Sequence, residues 1–157
     1  MQPIPPPPVV VPHARWKPPS VDFVKINVDG VVFSYENKFG MGVVICNHEG
    51  QVLATQSLKL HQAYSPSLIE AIVVYSGIIL ASNIGFHKAM VEGDSKVVMT
   101  VLQQGREILT PDGLLIEDIC LSSTIFTQLH YSHTKREGDK VAYSLARYVL
   151  HVPDAVV

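Results

Sequence analysis

The sequence predicts one α/β domain in which a five-stranded mixed sheet is flanked by helices, in the order β-β-β-α-β-α-α-β-α. Three segments of strand character, joined by turns, lie between residues 24 and 58. The segments that follow alternate between helical spacing of apolar residues and two further short strands. The length of 157 residues suits a single domain, and 47% hydrophobic against 17% charged residues excludes a disordered chain.

The first three strands are predicted from their patterning. Residues 24–29 alternate between apolar and polar side chains, which is typical of a half-buried strand. Residues 41–46 and 52–58 form the second and third strands, and His48-Glu49-Gly50 makes a tight turn between them. Short connections favour antiparallel pairing of all three, and the polar run 33–40 is interpreted as the first hairpin loop.

The longest predicted helix begins after Ser65, which suits the N-cap position, with Pro66 in its first turn. It extends to about Ser82 and is apolar on nearly all sides, as expected for a helix at the centre of a domain. Residues 89–91 and 128–132 are predicted to form the fourth and fifth strands.

Three shorter helices complete the predicted order. Asp94 and Ser95 cap the first, Thr110-Pro111 begins the second, and the third covers about residues 139–150. The apolar residues of the first helix are Val97, Val98, Val101 and Leu102. The residues expected to face inward are Leu115, Ile116 and Ile119 in the second helix, and Ala142, Leu145, Ala146 and Val149 in the third.

The two ends of the chain are predicted to lie outside the domain, which is assigned to residues 21–151. Eight of the eleven prolines fall within residues 1–20, a segment that we expect to be disordered. The run Pro5-Pro8 should form polyproline II, and a spacer role is favoured over a ligand for a proline-motif-binding protein. Residues 152–157 are expected to form a short tail.

Composition restricts the possible partners and compartments. Twelve basic against fourteen acidic residues give a net charge of −2, so binding to a polyanion must rely on local patches or metal ions. The longest apolar stretch, residues 71–81, is too short for a membrane span, and the N-terminus does not resemble a signal peptide. Cys46 and Cys120 are expected to be reduced. We therefore expect an intracellular protein, nuclear or cytoplasmic, and a monomer.

Three carboxylates stand out because each is flanked by apolar sequence: Asp29 at the end of the first strand, Glu70 in the first turn of the longest helix, and Asp94 after the fourth strand. Singly, they are explained as a turn residue, a charge favoured by the helix dipole and an N-cap. Together they form a set that would repel unless a divalent cation bound them, and Mg²⁺ prefers such oxygen ligands. Two such ions can promote phosphodiester hydrolysis.

The order of elements and five segments resemble the ribonuclease H type 1 family, and most closely its plant reverse-transcriptase-like branch, which is related to retroelements. The resemblance covers about residues 16–150. The segments are Trp16-Lys17-Pro18-Pro19, Lys25-Ile26-Asn27-Val28-Asp29-Gly30, Glu70-Ala71, Glu92-Gly93-Asp94-Ser95 and Arg136-Glu137-Gly138-Asp139-Lys140-Val141-Ala142-Tyr143-Ser144-Leu145-Ala146. The resemblance implies a ribonuclease H-like fold and hydrolysis of the RNA strand in RNA–DNA hybrids with Mg²⁺ or Mn²⁺.

The resemblance also implies a ligand set. Asp29, Glu70 and Asp94 match the first three of the family's four carboxylates, whereas Tyr143 stands at the position of the fourth. A neutral phenol is a poor ligand for Mg²⁺, so a second ion should bind less tightly. Asp139, one helical turn earlier, replaces the family's usual Asn, and it is either a substitute metal ligand or a helix N-cap with no metal role.

Basic residues near the last helix are the candidates for phosphate contacts, and Arg15 and Lys17 precede the first strand. The candidates near the helix are Lys135, Arg136, Lys140 and Arg147. An ordinary solvated helix face is the alternative. The basic helix-loop that some family members use to grip the hybrid is absent, because residues 102–112 contain only Arg106 as a basic residue.

The histidines carry less functional signal. His130 and His133 have a spacing that suits a metal, but no cysteine or carboxylate completes a zinc site. His133 is also a candidate for the loop histidine that assists catalysis in ribonucleases H, although it aligns with the end of a strand. The glycines of Gly40-Met41-Gly42 open no helix, which excludes a nucleotide-binding loop.

Three functions follow from these observations. The leading one is a nucleic-acid-binding domain that hydrolyses the RNA strand of RNA–DNA hybrids, with Asp29, Glu70 and Asp94 as catalytic metal ligands. The second is a catalytically weakened or inactive binding module of retroelement origin, which Tyr143 and the slightly acidic charge favour. The third is a retroelement remnant without selected activity.

Overall fold

A computed structural model describes residues 3–4, 15–33, 38–60, 65–105 and 111–150. It confirms the mixed five-stranded sheet with flanking helices and the predicted order of elements. The strands are β1 (Val24–Phe33), β2 (Lys38–Cys46), β3 (Val52–Leu60), β4 (Lys88–Gly93) and β5 (Gln128–His133). The helices are α1 (Pro66–Asn83), α2 (Lys96–Gln104), α3 (Pro111–Ser123) and α4 (Lys140–Leu150), with a 3₁₀ turn at Arg136–Gly138 before α4.

The sheet has the strand order β3-β2-β1-β4-β5. As predicted, β1, β2 and β3 pair antiparallel, whereas β1, β4 and β5 pair parallel. The parallel pairing between β1 and β4 ends where Val28 faces Gly93. Beyond this point β1 pairs with β2 alone. The edge of β1 that faced β4 is therefore unpaired from Asp29 onwards, at the centre of the sheet.

This pairing corrects the prediction that Asp29 ends the first strand and that residues 33–40 form a loop. β1 extends to Phe33 and β2 begins at Lys38, because ladder pairing continues both strands to the Phe33–Lys38 pair, and Val32 and Phe39 pack against the core. Alternation of apolar residues, the signal used for the prediction, is lost there although the strands continue. Asp29 therefore lies inside β1, opposite Gly42.

Helix α1 begins as predicted, with Pro66 as its first residue and the Ser65 hydroxyl accepting a hydrogen bond from the Leu68 amide at 3.2 Å. It packs against the centre of the sheet, where Gly77 lets it approach closely: a Cβ on Gly77 would lie 2.8 Å from Cγ2 of Ile26. The helix has the length and composition of a membrane span, but these are also the properties of a core helix in a soluble protein, and eight of its residues are buried.

Helix α2 packs against β5 and β4, and α3 packs against α1. In α2, Val98, Met99 and Leu102 are buried, whereas Val97 is 67% exposed. Val97 precedes Val98 by about 100° of helical rotation, which turns it away from the core. Ile116 and Ile119 of α3 are buried and Leu115 packs against them, as predicted.

Helix α4 covers the opposite face of the sheet. Successive residues of a strand face opposite sides, so Val44 and Cys46 point away from the main core and pack against Ala142 of α4 instead. Trp16 packs against this second cluster and thus joins the domain, although it lies within the predicted N-terminal segment. The Cys46 and Cys120 thiols are free. Pro5–Pro8, Arg106, the Val149 side chain and residues 152–157 lie outside the described part.

Gly42 sets the distance between α4 and the sheet. A Cβ at this position would overlap the Ala142 carbonyl oxygen and would lie 2.8 Å from the Ala146 amide nitrogen. Backbone atoms of a helix cannot yield as a side chain can. The predicted close packing of Ala142 and Ala146, which are both fully buried, therefore depends on this glycine.

We expect Gly42→Ala to lower the free energy of unfolding by roughly 1–3 kcal/mol, the usual cost of overpacking. Urea unfolding followed by circular dichroism measures the change. Ser144→Ala, at an exposed position of α4, should leave the midpoint unchanged. An equal urea midpoint for Gly42→Ala and the wild type would show that the backbone of α4 does not lie directly against Gly42 of β2.

Candidate metal centre

Three elements bring Asp29, Glu70 and Asp94 together at the end of the parallel pairing. Asp29 comes directly after Val28, the last residue of β1 that pairs with β4. Asp94 directly follows the end of β4 at Gly93, and Glu70 reaches the same place from α1. Because β1 and β4 run parallel, their paired segments end side by side, so the two aspartates meet although 65 residues separate them in sequence.

The three carboxylates form a cluster in which one ligand oxygen of each lies within 4.8 Å of the others. Asp29 and Glu70 are buried, whereas Asp94 is half-buried and marks the solvent side of the cluster. This spacing suits oxygen ligands that share one hard divalent cation. We call these three residues the carboxylate cluster.

The structure contradicts the ordinary structural explanation of each residue. Asp29 is a strand residue and not a turn residue. Glu70 is the fifth residue of α1 and so lies beyond the first turn, where the helix dipole would favour a negative charge. The N-cap of α2 is Ser95, whose hydroxyl accepts from the Val98 amide at 3.4 Å, which leaves the Asp94 carboxylate free to face the cluster.

Two glycines leave the space that the carboxylate cluster and the start of α1 occupy. A Cβ on Gly93 would lie 2.5 Å from Oε1 of Glu70, and a Cβ on Gly30 would lie 2.5 Å from Cγ2 of Ile69. The first contact would push Glu70 away from the two aspartates, and the second would move the start of α1 away from β1. The glycines in Asp29-Gly30 and Gly93-Asp94 therefore keep α1 close enough for Glu70 to join the cluster.

Burial leaves the cluster short of hydrogen bonds. Among the described residues, no partner donates to either carboxylate oxygen of Asp29 or to Oε1 of Glu70. Burial, followed by the charge of Asp94, raises the pKa of Asp29 to about 7. Burial, Asp94 and Asp29 raise the pKa of Glu70 to about 8, against the smaller effects of the Ser95 amide and Arg136. Three converging carboxylates, two of which have oxygens without a hydrogen-bond partner, fit a resident Mg²⁺ or Mn²⁺.

Tyr143, which the resemblance predicts to stand in place of a fourth carboxylate, contacts two arginines. The Arg136 guanidinium carbon lies 4.3 Å from the centre of the Tyr143 ring, and an Arg136 nitrogen lies 3.3 Å from Oδ2 of Asp94. Arg147, one turn further along α4, donates to the Tyr143 hydroxyl at 3.3 Å. Two of the four predicted phosphate contacts thus lie around Tyr143, and Lys135 and Lys140 are exposed beside them.

Asp139 is close enough to the carboxylate cluster for the charges of its three residues to add to the effect of burial in raising the Asp139 pKa, but it lies outside the group of oxygens that could share one ion. Its buried Oδ2 has no hydrogen-bond partner among the described residues. Its Oδ1 accepts a hydrogen bond from the Asn27 amide at 2.9 Å, and its backbone carbonyl accepts from the Tyr143 amide at 3.0 Å. Among the described residues, the group able to share a metal ion contains the three cluster carboxylates and not Asp139. This placement favours a hydrogen-bonding role for the Asp139 side chain over the role of a substitute metal ligand.

Asn27 is the centre of a buried polar network that the sequence did not predict. Its oxygen accepts from the Trp16 indole at 2.9 Å, and its amide donates to Oε1 of Glu92 at 3.1 Å as well as to Asp139. Glu92 is also paired with the buried Lys25 at 3.2 Å. The sequence did contain one indication of this network. Lys25, Asn27 and Asp29 share one face of β1, and polar residues on a buried face require hydrogen-bond partners.

The histidines take no part in the cluster. His130 and His133 are three residues apart in β5, so they face opposite sides of the sheet and cannot chelate one zinc ion. His130 stacks on Phe23, with 6.1 Å between ring centres. His133 is exposed at the end of β5. Gly40, Met41 and Gly42 lie within β2, consistent with the exclusion of a nucleotide-binding loop.

Comparison with known proteins agrees with this architecture. The family model for reverse transcriptase-like proteins matches residues 27–149. None of the curated proteins matches the sequence.

Three solved structures are informative. Ribonuclease H1 of the archaeon Halobacterium salinarum is 21% identical, with a TM-score of 0.75 over 82% of this chain and 97% of its own. The N-terminal RNase H domain of a Mycobacterium tuberculosis protein, solved as a fusion with maltose-binding protein, is 25% identical, with a TM-score of 0.75 over 83% of this chain and 94% of its own. LC11-RNase H1, solved with an RNA/DNA hybrid, is 17% identical, with a TM-score of 0.69 over 81% and 99%.

The buried Asp139 carboxyl predicts a pH-dependent stability. Burial is the main cause that raises its pKa to about 10, against the hydrogen bond from Asn27. Since the folded pKa lies above the ordinary value of 3.8, folding favours the protonated acid. The stabilisation is complete below about pH 4 and is lost progressively as the pH rises towards 10.

We therefore expect Asp139→Asn, which is neutral at every pH and has the same shape, to be more stable than the wild type at pH 7 by at least about 1 kcal/mol. The difference should grow from pH 5 to pH 9 in urea unfolding series. Asp118→Asn, which alters an exposed carboxylate of α3, is the matched control. Mn²⁺ affinity should be unchanged in Asp139→Asn, and a loss of affinity would restore the metal-ligand hypothesis.

Proposed function

Because the chain belongs to the reverse transcriptase-like family and has the ribonuclease H fold, we propose that it binds RNA–DNA hybrids and hydrolyses their RNA strand with Mg²⁺ or Mn²⁺. The observation that carries this proposal is the carboxylate cluster of Asp29, Glu70 and Asp94. Its buried, unpartnered oxygens cost folding free energy unless a cation binds there.

Each carboxylate has its own part in the proposed site. Asp29 and Glu70 are fixed by β1 and α1 and form the buried floor that would hold the ion. Asp94 lies on the solvent side, where a phosphodiester can approach. A divalent ion bound there supplies a lowered pKa for an attacking water and charge stabilisation for a phosphoryl oxygen.

The proposed nucleic-acid surface lies beside Asp94 and consists of Lys135, Arg136, Lys140 and Arg147. All four are exposed, on the 3₁₀ turn, just before it and along α4. Arg136 connects this surface to the cluster through its ion pair with Asp94. Such cations contact phosphates without reading sequence, so binding should weaken as salt concentration rises. LC11-RNase H1, which has this fold, has been solved with an RNA/DNA hybrid.

A second candidate function is a binding module of retroelement origin that lacks turnover. The observation in its favour is Tyr143, since a phenol replaces a carboxylate beside the cluster. Such a module would keep hybrid binding through the same basic surface. It would show no cleavage that depends on both a metal and Asp94.

The test is cleavage of an end-labelled RNA–DNA hybrid in Mg²⁺ and in Mn²⁺. We expect the wild type to cut the RNA strand and Asp94→Asn to be at least roughly 100-fold slower, because loss of a metal ligand removes several kcal/mol of transition-state stabilisation. Asp118→Asn, the exposed carboxylate variant of α3, should cleave at the wild-type rate.

Hybrid binding by electrophoretic mobility shift, measured in EDTA, separates the two candidates. Binding without cleavage by a folded wild type would support the binding module and overturn the nuclease. Cleavage that is equally fast in Asp94→Asn would point to a contaminating nuclease and would also contradict the proposal.

A further inference from the structure

We propose that Arg136 acts as a built-in cation of the carboxylate cluster, held in place by Tyr143, so that this chain binds one divalent ion where a fourth carboxylate would admit a second. The inference concerns the chain's own residues and rests on the proposed metal site. Its geometric basis is the contact of one guanidinium group with both Asp94 and Tyr143.

The guanidinium of Arg136 occupies the space between the cluster and α4. One of its nitrogens lies 3.3 Å from Oδ2 of Asp94, while its carbon lies 4.3 Å from the centre of the Tyr143 ring. An aromatic face attracts a guanidinium through the ring quadrupole. Tyr143 therefore binds a cation of the protein itself, whereas an acidic side chain at this position would attract a metal ion.

Tyr143 is itself held in position from the other side. Arg147 donates to its hydroxyl at 3.3 Å from one turn further along α4, and the Arg147 guanidinium carbon lies 5.6 Å from the ring centre. The Tyr143 ring is only half-buried, and the two arginines contact the part of it that the core does not cover. Tyr143 is thus flanked by two positive charges, one of which also pairs with Asp94 of the cluster.

The backbone around Arg136 anchors it to the end of β4 that carries Asp94. The Thr134 amide donates to the Gly93 carbonyl at 2.9 Å, and the 3₁₀ turn is closed by the Asp139 amide, which donates to the Arg136 carbonyl at 2.9 Å. A Cβ on Gly138 would overlap the Thr134 hydroxyl, so the turn is tightly folded. The backbone of Arg136 is therefore fixed by main-chain hydrogen bonds, and its guanidinium group is held by Asp94 and Tyr143.

A fixed guanidinium has two consequences for ion binding. Arginine does not deprotonate, so its charge is present at every working pH and repels a second divalent ion nearby. It also shares Asp94 with the first ion and so weakens the binding of that ion. The Arg136 side chain is 54% exposed, which leaves it able to contact a phosphoryl oxygen of a bound substrate.

Calorimetric titration of the free protein with MnCl₂, without nucleic acid, tests the proposal. We expect the wild type to bind one ion per chain. In Arg136→Gln the ion should bind at least about fivefold more tightly, because a guanidinium that lies 3.3 Å from Oδ2 of Asp94 no longer competes for this carboxylate. Lys135→Gln removes the same charge from the neighbouring residue, which has no ion pair with Asp94, and should leave Mn²⁺ affinity unchanged. Arg136→Lys keeps the charge and should stay closer to the wild type than Arg136→Gln.

A second variant tests the stoichiometry. The double variant R136Q/Y143D removes the built-in cation and supplies a fourth carboxylate, so it should bind two Mn²⁺ ions. Cleavage by Arg136→Gln should fall in kcat although its metal binding is tighter, a combination that a simple phosphate contact, which would raise KM alone, does not produce. Near-UV circular dichroism confirms that each variant is folded.

The outcomes separate this inference from the proposed function. Two ions bound by the wild type, or equal Mn²⁺ affinity in Arg136→Gln and the wild type, would overturn the role of Arg136 while leaving a metal site that depends on Asp94. Absence of Mn²⁺ binding by the wild type, or full binding by Asp94→Asn, would overturn the proposed metal site and this inference with it.

Discussion

Burial of like charges in the carboxylate cluster is the constraint on which the site depends. Asp29 and Glu70 are buried and short of hydrogen bonds, and burial, followed by the charge of Asp94, raises the pKa of both. The parallel ends of β1 and β4, together with Gly93, force them to converge. Arg136 offsets part of this charge from the solvent side. A fold that concentrates negative charge in this way is stabilised by whatever cation completes it, which links the stability of the domain directly to ligand binding.

Local patterning was sufficient for the fold and for the members of the cluster. Helix α1 could be located from Ser65 and Pro66, since capping is decided within one turn of helix. Asp29 and Asp94 could be singled out because each carboxylate interrupts or follows an apolar strand. The predicted end of β1 was wrong. The second half of the strand is paired with β2 through main-chain hydrogen bonds, and the alternation of side chains does not report these bonds.

The contacts around the cluster could not be predicted in this way, because they join residues far apart in sequence. Asn27 reaches Glu92 across 65 positions and Asp139 across 112. The sequence marked Asp139 as unusual but left its role open between metal ligand and N-cap, and only the partner found in space favours the hydrogen bond to Asn27. The same holds for Arg136, which is one of four candidate phosphate contacts near the last helix in the sequence but the one paired with Asp94 in the structure.

Tyr143 affects both the proposed hydrolytic activity and the charge beside the carboxylate cluster. A neutral side chain in place of a ligand weakens a second metal site, and this alone would favour an inactive module. Two guanidinium groups gather on the Tyr143 side chain, however, and one of them pairs with the most exposed cluster carboxylate. If the chain hydrolyses phosphodiesters as proposed, this positive charge would take the part of a second metal ion. Tyr143 in place of a carboxylate would then change the source of the second cation, and would not by itself remove the charge on which hydrolysis would depend.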